Sequence, residues 1–196
     1  VNCTGTPQAG WLSCKGYLRP VRLVVVQLLP LCSLGVPMSF TVCQLATEDI
    51  GLMKALLDVF GEAFNEIDTY KNNQPKAAYL QQLLGGDSFI AVVGLDNGEV
   101  IGGIAAYELK KFEQPRSEIY IYDLVVAENY RRKGVATALI SELKKIAAAR
   151  GAYVIYVQAD IGDEPAIALY TKLGVREDVL HFDIAVANSN GVTHQQ

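Results

Sequence analysis

One stretch constrains the fold more than any other: Asp123-Leu-Val-Val-Ala-Glu-Asn-Tyr-Arg-Arg-Lys-Gly-Val-Ala-Thr137. An apolar run enters a turn with three consecutive basic residues. A helix follows, with Val135, Leu139, Leu143 and Ile146 on one face and Gly151 after its end. Such a strand–turn–helix unit builds an anion site. The first amides of a helix lack internal partners and point outward, and the helix dipole adds about half a positive charge there. Gly134 and Ala136 keep bulk away from those amides, while Arg131, Arg132 and Lys133 add charge. Two other phosphate loops are excluded. A Walker loop needs glycine before lysine, and Lys133-Gly134 has the reverse order; no G-x-G-x-x-G occurs.

Around this unit the pattern alternates between periods of two and 3.6. Residues 39–45 suit a strand. Thr47 is placed to cap a helix whose apolar face holds Ile50, Met53, Leu57, Phe60 and Phe64. Residues 65–73 read as a polar loop, and Pro75 opens a second helix that Gly85-Gly86 stops. Residues 88–95 and 99–107 flank Asp96-Asn97-Gly98, a hairpin signal. A charged loop over 108–116 leads to a strand over 117–127. After the central helix come a strand over 153–158, a helix capped by Asp163 and ended by Gly174, and a strand over 175–186 that closes the sheet. The order predicts an α/β (α+β) domain: a mixed, mostly antiparallel sheet with helices on both faces.

Residues 1–37 read differently. Leu23–Leu34 is mostly apolar and follows Lys15, Arg19 and Arg22, like a leader, yet Gln27 and Pro30 interrupt it and no A-x-A site follows. We expect this segment to lie outside the fold, with Met38 as the natural start, a domain over 38–186 and a polar tail over 187–196. Its basic residues have no acidic counterpart, so the body is more acidic than the formal −4 of the whole chain. An acidic body argues against nucleic acid and suits a cationic substrate. No apolar run is long enough for a bilayer span. Cys3, Cys14, Cys32 and Cys43 form neither a zinc pattern nor a disulfide framework, so free thiols in a reducing cytoplasm and no metal are expected.

The spacing Arg131-x-x-Gly134-x-Ala136 resembles motif A of the GNAT acetyltransferases, and Ala168-Leu-Tyr-Thr-Lys-Leu-Gly174 resembles their motif B. Residues 112–124, 151–160 and His181-Phe-Asp183 closely resemble the gentamicin-type aminoglycoside 3-N-acetyltransferases. The resemblance covers roughly residues 40–185. It implies the GNAT fold, acetyl-CoA as co-substrate, and room for a homodimer. It further implies that Leu124, Val125 and Val126 pair with the pantetheine arm. The pyrophosphate would rest on the amides of Arg131, Arg132, Lys133, Gly134, Val135 and Ala136, with Thr137 at the helix start, and Tyr170 would lie near the thioester sulfur.

Acetyl transfer needs a deprotonated amine, a polarised carbonyl and a stabilised thiolate. Asp123 is the candidate base: an ionised carboxylate inside an apolar strand is costly unless a cation meets it. Its competing role is a structural carboxylate bound to backbone amides. Tyr170 is the candidate acid, although its helical spacing equally suits a core tyrosine. A polycationic drug calls for acids and flat walls. Tyr120, Tyr122, Asp160, Asp183 and Glu113 are candidates, among further loop acids such as Glu62, Glu66 and Asp68, and His181 is a possible second base. Competing functions are acetylation of a polyamine or protein amine, and a non-catalytic acyl-CoA-binding module, which would have no need of Asp123 or Tyr170.

Overall fold

The computed structural model describes residues 40–182 and Ile184. The readings for residues 1–37, Met38, Cys3, Cys14, Cys32, Asp183 and the 187–196 tail lie outside the described residues.

Five strands form one sheet in sequence order: β1 (Thr41–Gln44), β2 (Phe89–Asp96), β3 (Glu99–Lys110), β4 (Ser117–Val126) and β5 (Ala152–Val157). The first four are antiparallel, and β4 pairs with β5 in parallel. The β2–β3 turn places Asn97 and Gly98 at φ 50° and 85°, the left-handed pair that a tight hairpin requires. Alternation on β2 sorts side chains to opposite faces. Ile90 and Val92 meet α3 (Val135–Arg150) through Val135, Leu139 and Leu143. Phe89, Ala91 and Val93 meet α1 (Ile50–Phe64) and α2 (Ala77–Leu84) through Met53, Leu56, Phe60 and Leu80. Helices thus cover both faces, and each buried stripe repeats at helical spacing. α4 (Glu164–Leu173) starts at Asp163, whose side chain accepts from the Ala166 amide at 3.1 Å.

Several expectations need correction. The α1 cap is Asp49, not Thr47; the Thr47 hydroxyl donates to Glu48 at 2.7 Å instead. β3 runs on to Lys110, because Leu109 and Lys110 find partners in Glu118 and Ser117 of β4, so the loop is shorter than read. The stretch 65–73 is not plain loop: Asp68–Asn72 forms a π-helical turn. The closing strand over 175–186 is absent from residues 175–182. Their apolar pattern favours an extended chain, but a strand exists only by pairing. The described residues supply β5 with no neighbour but β4, and Val175, Leu180 and Phe182 are exposed.

Candidate active site

A β-bulge decides which way Asp123 points. On β4, Ile121 pairs with Ala106 and Asp123 with the adjacent Ala105, so Tyr122 is an unpaired extra residue. Before it, Ile119 and Ile121 face the α3 side. After it, Leu124 and Val126 face that side and Val125 faces α1. Strict alternation from Ile121 would aim Asp123 into the α3 core. The bulge turns it to the α1 side, alongside Tyr122, whose ring meets Tyr107 edge-on at 5.9 Å. There the Tyr70 hydroxyl donates to Asp123 Oδ2 at 3.4 Å. Desolvation raises the Asp123 carboxyl above its ordinary range; the Tyr70 hydrogen bond opposes this and the Glu66 charge adds to it. Tyr70 itself is pushed up to about 12 by burial and by Asp123.

Beside Asp123 lies a row of rings on the same face. Tyr122 meets Tyr120 edge-on at 6.0 Å, and Tyr120 stacks on Tyr156 of β5 at 5.0 Å. Tyr122 is 62% exposed, so the row is a surface open to solvent. The Tyr120 hydroxyl donates to Gln158 at 3.0 Å, two residues before the exposed Asp160. At the far end Glu113 sits 3.6 Å from Lys111, which also lies 3.6 Å from Glu118. His181 is exposed and outside any helix or strand. The structure therefore gathers Tyr120, Tyr122 and Asp123 on one face and leaves Glu113, Asp160 and His181 on peripheral loops.

β4 and β5 part company at the same level. Their pairing ends at Ile121 with Val157, and β4 continues through Leu124, Val125 and Val126 paired only with β3. On the α3 side of the sheet, Tyr170, Leu169 and Leu173 of α4 pack against the same buried core as Leu124 and Val126 of β4. Burial, with a smaller contribution from Asp163, raises the Tyr170 phenol, so it keeps its proton at neutral pH. Asp123 and Tyr170 thus lie on opposite faces of the sheet.

The turn before α3 has an unusual backbone. Arg132, not a glycine, has φ 63°, and Gly134 at the helix N-cap has φ 84°. Left-handed conformations held at a non-glycine residue cost of order 1 kcal/mol and cluster at functional sites. No side chain caps α3 and no acid occupies its first turn, which leaves its leading amides to an outside anion. The Val135 side chain is buried in the core, so only its backbone serves this surface; Ala136 is half-buried and Thr137 exposed. Arg131 Nε donates to the Val126 carbonyl at 3.2 Å, tying the turn to the end of β4. Lys133 lies over the Tyr130 ring at 5.4 Å. These residues fit a pyrophosphate-bearing arm that runs from the α3 terminus along the unpaired edge of β4.

Residues 52–175 match the Acetyltransferase (GNAT) family. The chain belongs to that family. GNAT acetyltransferases use acetyl-CoA, and the mixed five-strand sheet opening beside the α3 turn is their fold. An aminoglycoside acetyltransferase from an uncultured soil metagenomic sample is 64% identical, with 76% of this chain and 100% of that chain covered at a TM-score of 0.75. A second one from such a sample, solved in complex with sisomicin, is 28% identical, covering 76% and 97% at a TM-score of 0.70. An N-alpha-acetyltransferase of Sulfurisphaera tokodaii is 30% identical over 112 residues, 54% of this chain and 66% of that relative, so the match spans just under two thirds of the relative's length. Among the described residues of this GNAT chain, no helix is long and apolar enough to cross a membrane.

Three residues of this site were not singled out by sequence reasoning. Tyr70 is the lone aromatic in a polar stretch, and no sequence pattern marks a π-helical turn. Tyr107 and Tyr156 look like ordinary strand residues until the bulge and the β4–β5 register align them with Tyr120 and Tyr122.

Proposed function

We propose that this chain is an acetyl-CoA-dependent N-acetyltransferase that acts in the cytoplasm on an amine of an aminoglycoside antibiotic, the 3-amino group of the gentamicin type, and so confers resistance. The observation that carries the reading is the half-buried Asp123 carboxylate, turned by the bulge onto an open row of tyrosines beside the β4–β5 opening. Sugar rings stack on aromatic faces, and a cationic amine offsets the cost of a desolvated carboxylate. The 64% identity to an aminoglycoside acetyltransferase supports the same substrate class.

Acetyl-CoA supplies the thioester acyl group. The amides of residues 131–136 and the dipole of α3 hold its pyrophosphate, with Thr137 at the helix start. The unpaired edge at Leu124, Val125 and Val126 orients the arm, and a backbone amide near Val126 polarises the carbonyl. Asp123 takes a proton from the substrate ammonium, directly or through water; its raised carboxyl suits that task. Tyr170, still protonated at neutral pH, gives its proton to the leaving thiolate. Tyr120 and Tyr122 form the floor, and Glu113, Asp160, Asp183 and His181 are the groups that would meet further amines of the drug.

A second reading, acetylation of a peptide α-amine, is favoured by the similarity to an archaeal N-alpha-acetyltransferase. One assay separates them: thiol release from acetyl-CoA with gentamicin, sisomicin, spermidine or an N-terminal peptide, for wild type and Asp123→Asn. We expect drug-dependent release that falls about a hundredfold in the variant, and NMR of the product to show the 3-amino group modified. Release with peptide alone would replace this reading with the second.

A further inference from the structure

We infer that Tyr70 is a positioning residue for Asp123: it holds one carboxylate oxygen from a π-helical turn and leaves the other to the substrate amine. This rests on the reading of Asp123 as the proton acceptor.

The residues around Tyr70 fix where its hydroxyl lies. Its ring packs against Phe60 at 5.7 Å and Phe64 at 5.9 Å, both on α1. The Glu66 amide donates to the Gly61 carbonyl at 3.0 Å, and the Tyr70 amide donates to Glu66 at 3.1 Å. A Cβ at Gly61 would stand 3.1 Å from the Tyr70 Cβ, so the bare backbone there lets the turn close onto α1. Asn72 and Asn73 donate to the Asp68 side chain and carbonyl at 2.7 and 2.9 Å, and Lys71 pairs with Glu62 at 2.9 Å. π-helical turns are rare and concentrate at functional sites. No residue of this one is fully buried, and its packing against the α1-side core is through the Tyr70 ring. What it delivers is a phenol 3.4 Å from a carboxylate that lies 53 residues away in the chain.

The electrostatics give that contact a direction. Asp123 faces Tyr70 from the turn, Glu66 from the segment before it, Tyr107 from β3, and Tyr120 and Tyr122 from β4. Of these, Glu66 opposes ionisation of Asp123, whereas the Tyr70 hydroxyl favours it by donating to the charged form. Tyr70 therefore keeps the carboxylate ionised, and able to accept a proton, at a lower pH than burial alone would allow.

Tyr70→Phe keeps the ring packing and removes the donor. Loss of one hydrogen bond to a carboxylate should move the acid limb of kcat/KM upward by about one pH unit, with KM for acetyl-CoA unchanged. The titration midpoint of the Asp123 side-chain carbon, followed by carbon-13 NMR without substrate, should rise by the same amount. Glu66→Gln should move both in the opposite direction, which loosening of the turn would not do. An Asp123 midpoint and acid limb that stay in place in Tyr70→Phe, while Asp123→Asn is inactive, would overturn the role of Tyr70 alone. Full activity in Asp123→Asn would overturn the base reading and this role with it.

Discussion

Gly102 offers a way to displace the proposed arm-binding edge without touching a residue on it. It sits on β3 opposite Val126, and a Cβ there would lie 2.5 Å from the Val125 carbonyl oxygen and 3.1 Å from the Val126 Cα. Ordinary contact begins at 3.4 Å, so in Gly102→Ala the backbone of β4 must yield by roughly 1 Å. Overpacking of this kind costs about 1–3 kcal/mol, or about 2–10 °C in Tm for a domain of this size. The same displacement shifts Leu124–Val126 relative to the α3 terminus. Misplacement by about 1 Å can cost up to ~100-fold, and we expect coenzyme A affinity to fall at least about tenfold. The control is Gly151→Ala at the far end of α3. Its φ of 75° strains alanine, but no atom lies within 4 Å of the added carbon. It should lower Tm through about 1 kcal/mol of backbone strain and leave the edge in place. Calorimetric titration with coenzyme A, at matched distance below each Tm, compares the two. Equal affinities would refute the assignment of the β4 edge to the pantetheine arm.

Tyr170→Phe should reduce kcat about tenfold to a hundredfold while leaving Tm nearly unchanged, because the ring stays in the core and only the proton donor goes; stopped-flow thiol detection reads it, and an unchanged kcat would make Tyr170 a packing residue. Arg150→Met should destabilise the domain by about 1–2 kcal/mol, because Arg150 donates to both Glu108 and the Asp87 carbonyl, at 2.9 and 2.7 Å. Desolvation works against the Glu108 carboxylate, but the Arg150 hydrogen bond and the Arg150 and Lys110 charges hold its pKa below the ordinary 4.5. That contribution is present above pH 4.5 and is lost as pH falls through the folded value, so urea midpoints of wild type and variant should converge in strong acid.

What the sequence disclosed divides along a physical line. Periodicity, caps and turn residues are local, and they located β2, the Asn97-Gly98 hairpin, α3 and the Asp163 cap within a residue or two. The basic turn was legible because a helix start advertises itself in composition. Asp123 stood out because a carboxylate is anomalous in an apolar strand. The direction it faces was not legible, because that depends on Tyr122 being left out of a ladder with β3, a property of two strands together. Tyr70 was hidden for the same reason: its partner is 53 residues distant. The strand expected over 175–186 is absent from residues 175–182, where pairing, and not propensity, decides.

The unpaired Tyr122 is a spacer that leaves the rest of β4 in frame. Without it, Ile121 and Asp123 would be consecutive residues opposite Ala106 and Ala105, and plain alternation would keep Asp123 and Val125 on the α1 side and Leu124 and Val126 on the α3 side. What the extra residue adds is a second side chain in succession on one face: a ring that meets Tyr107 and Tyr120 edge-on is set directly beside the carboxylate, closer than the two-residue repeat of a regular strand allows. The carboxylate and its aromatic neighbour are therefore separable. Loss of Tyr122 would interrupt the row of rings and leave the acid facing the same way.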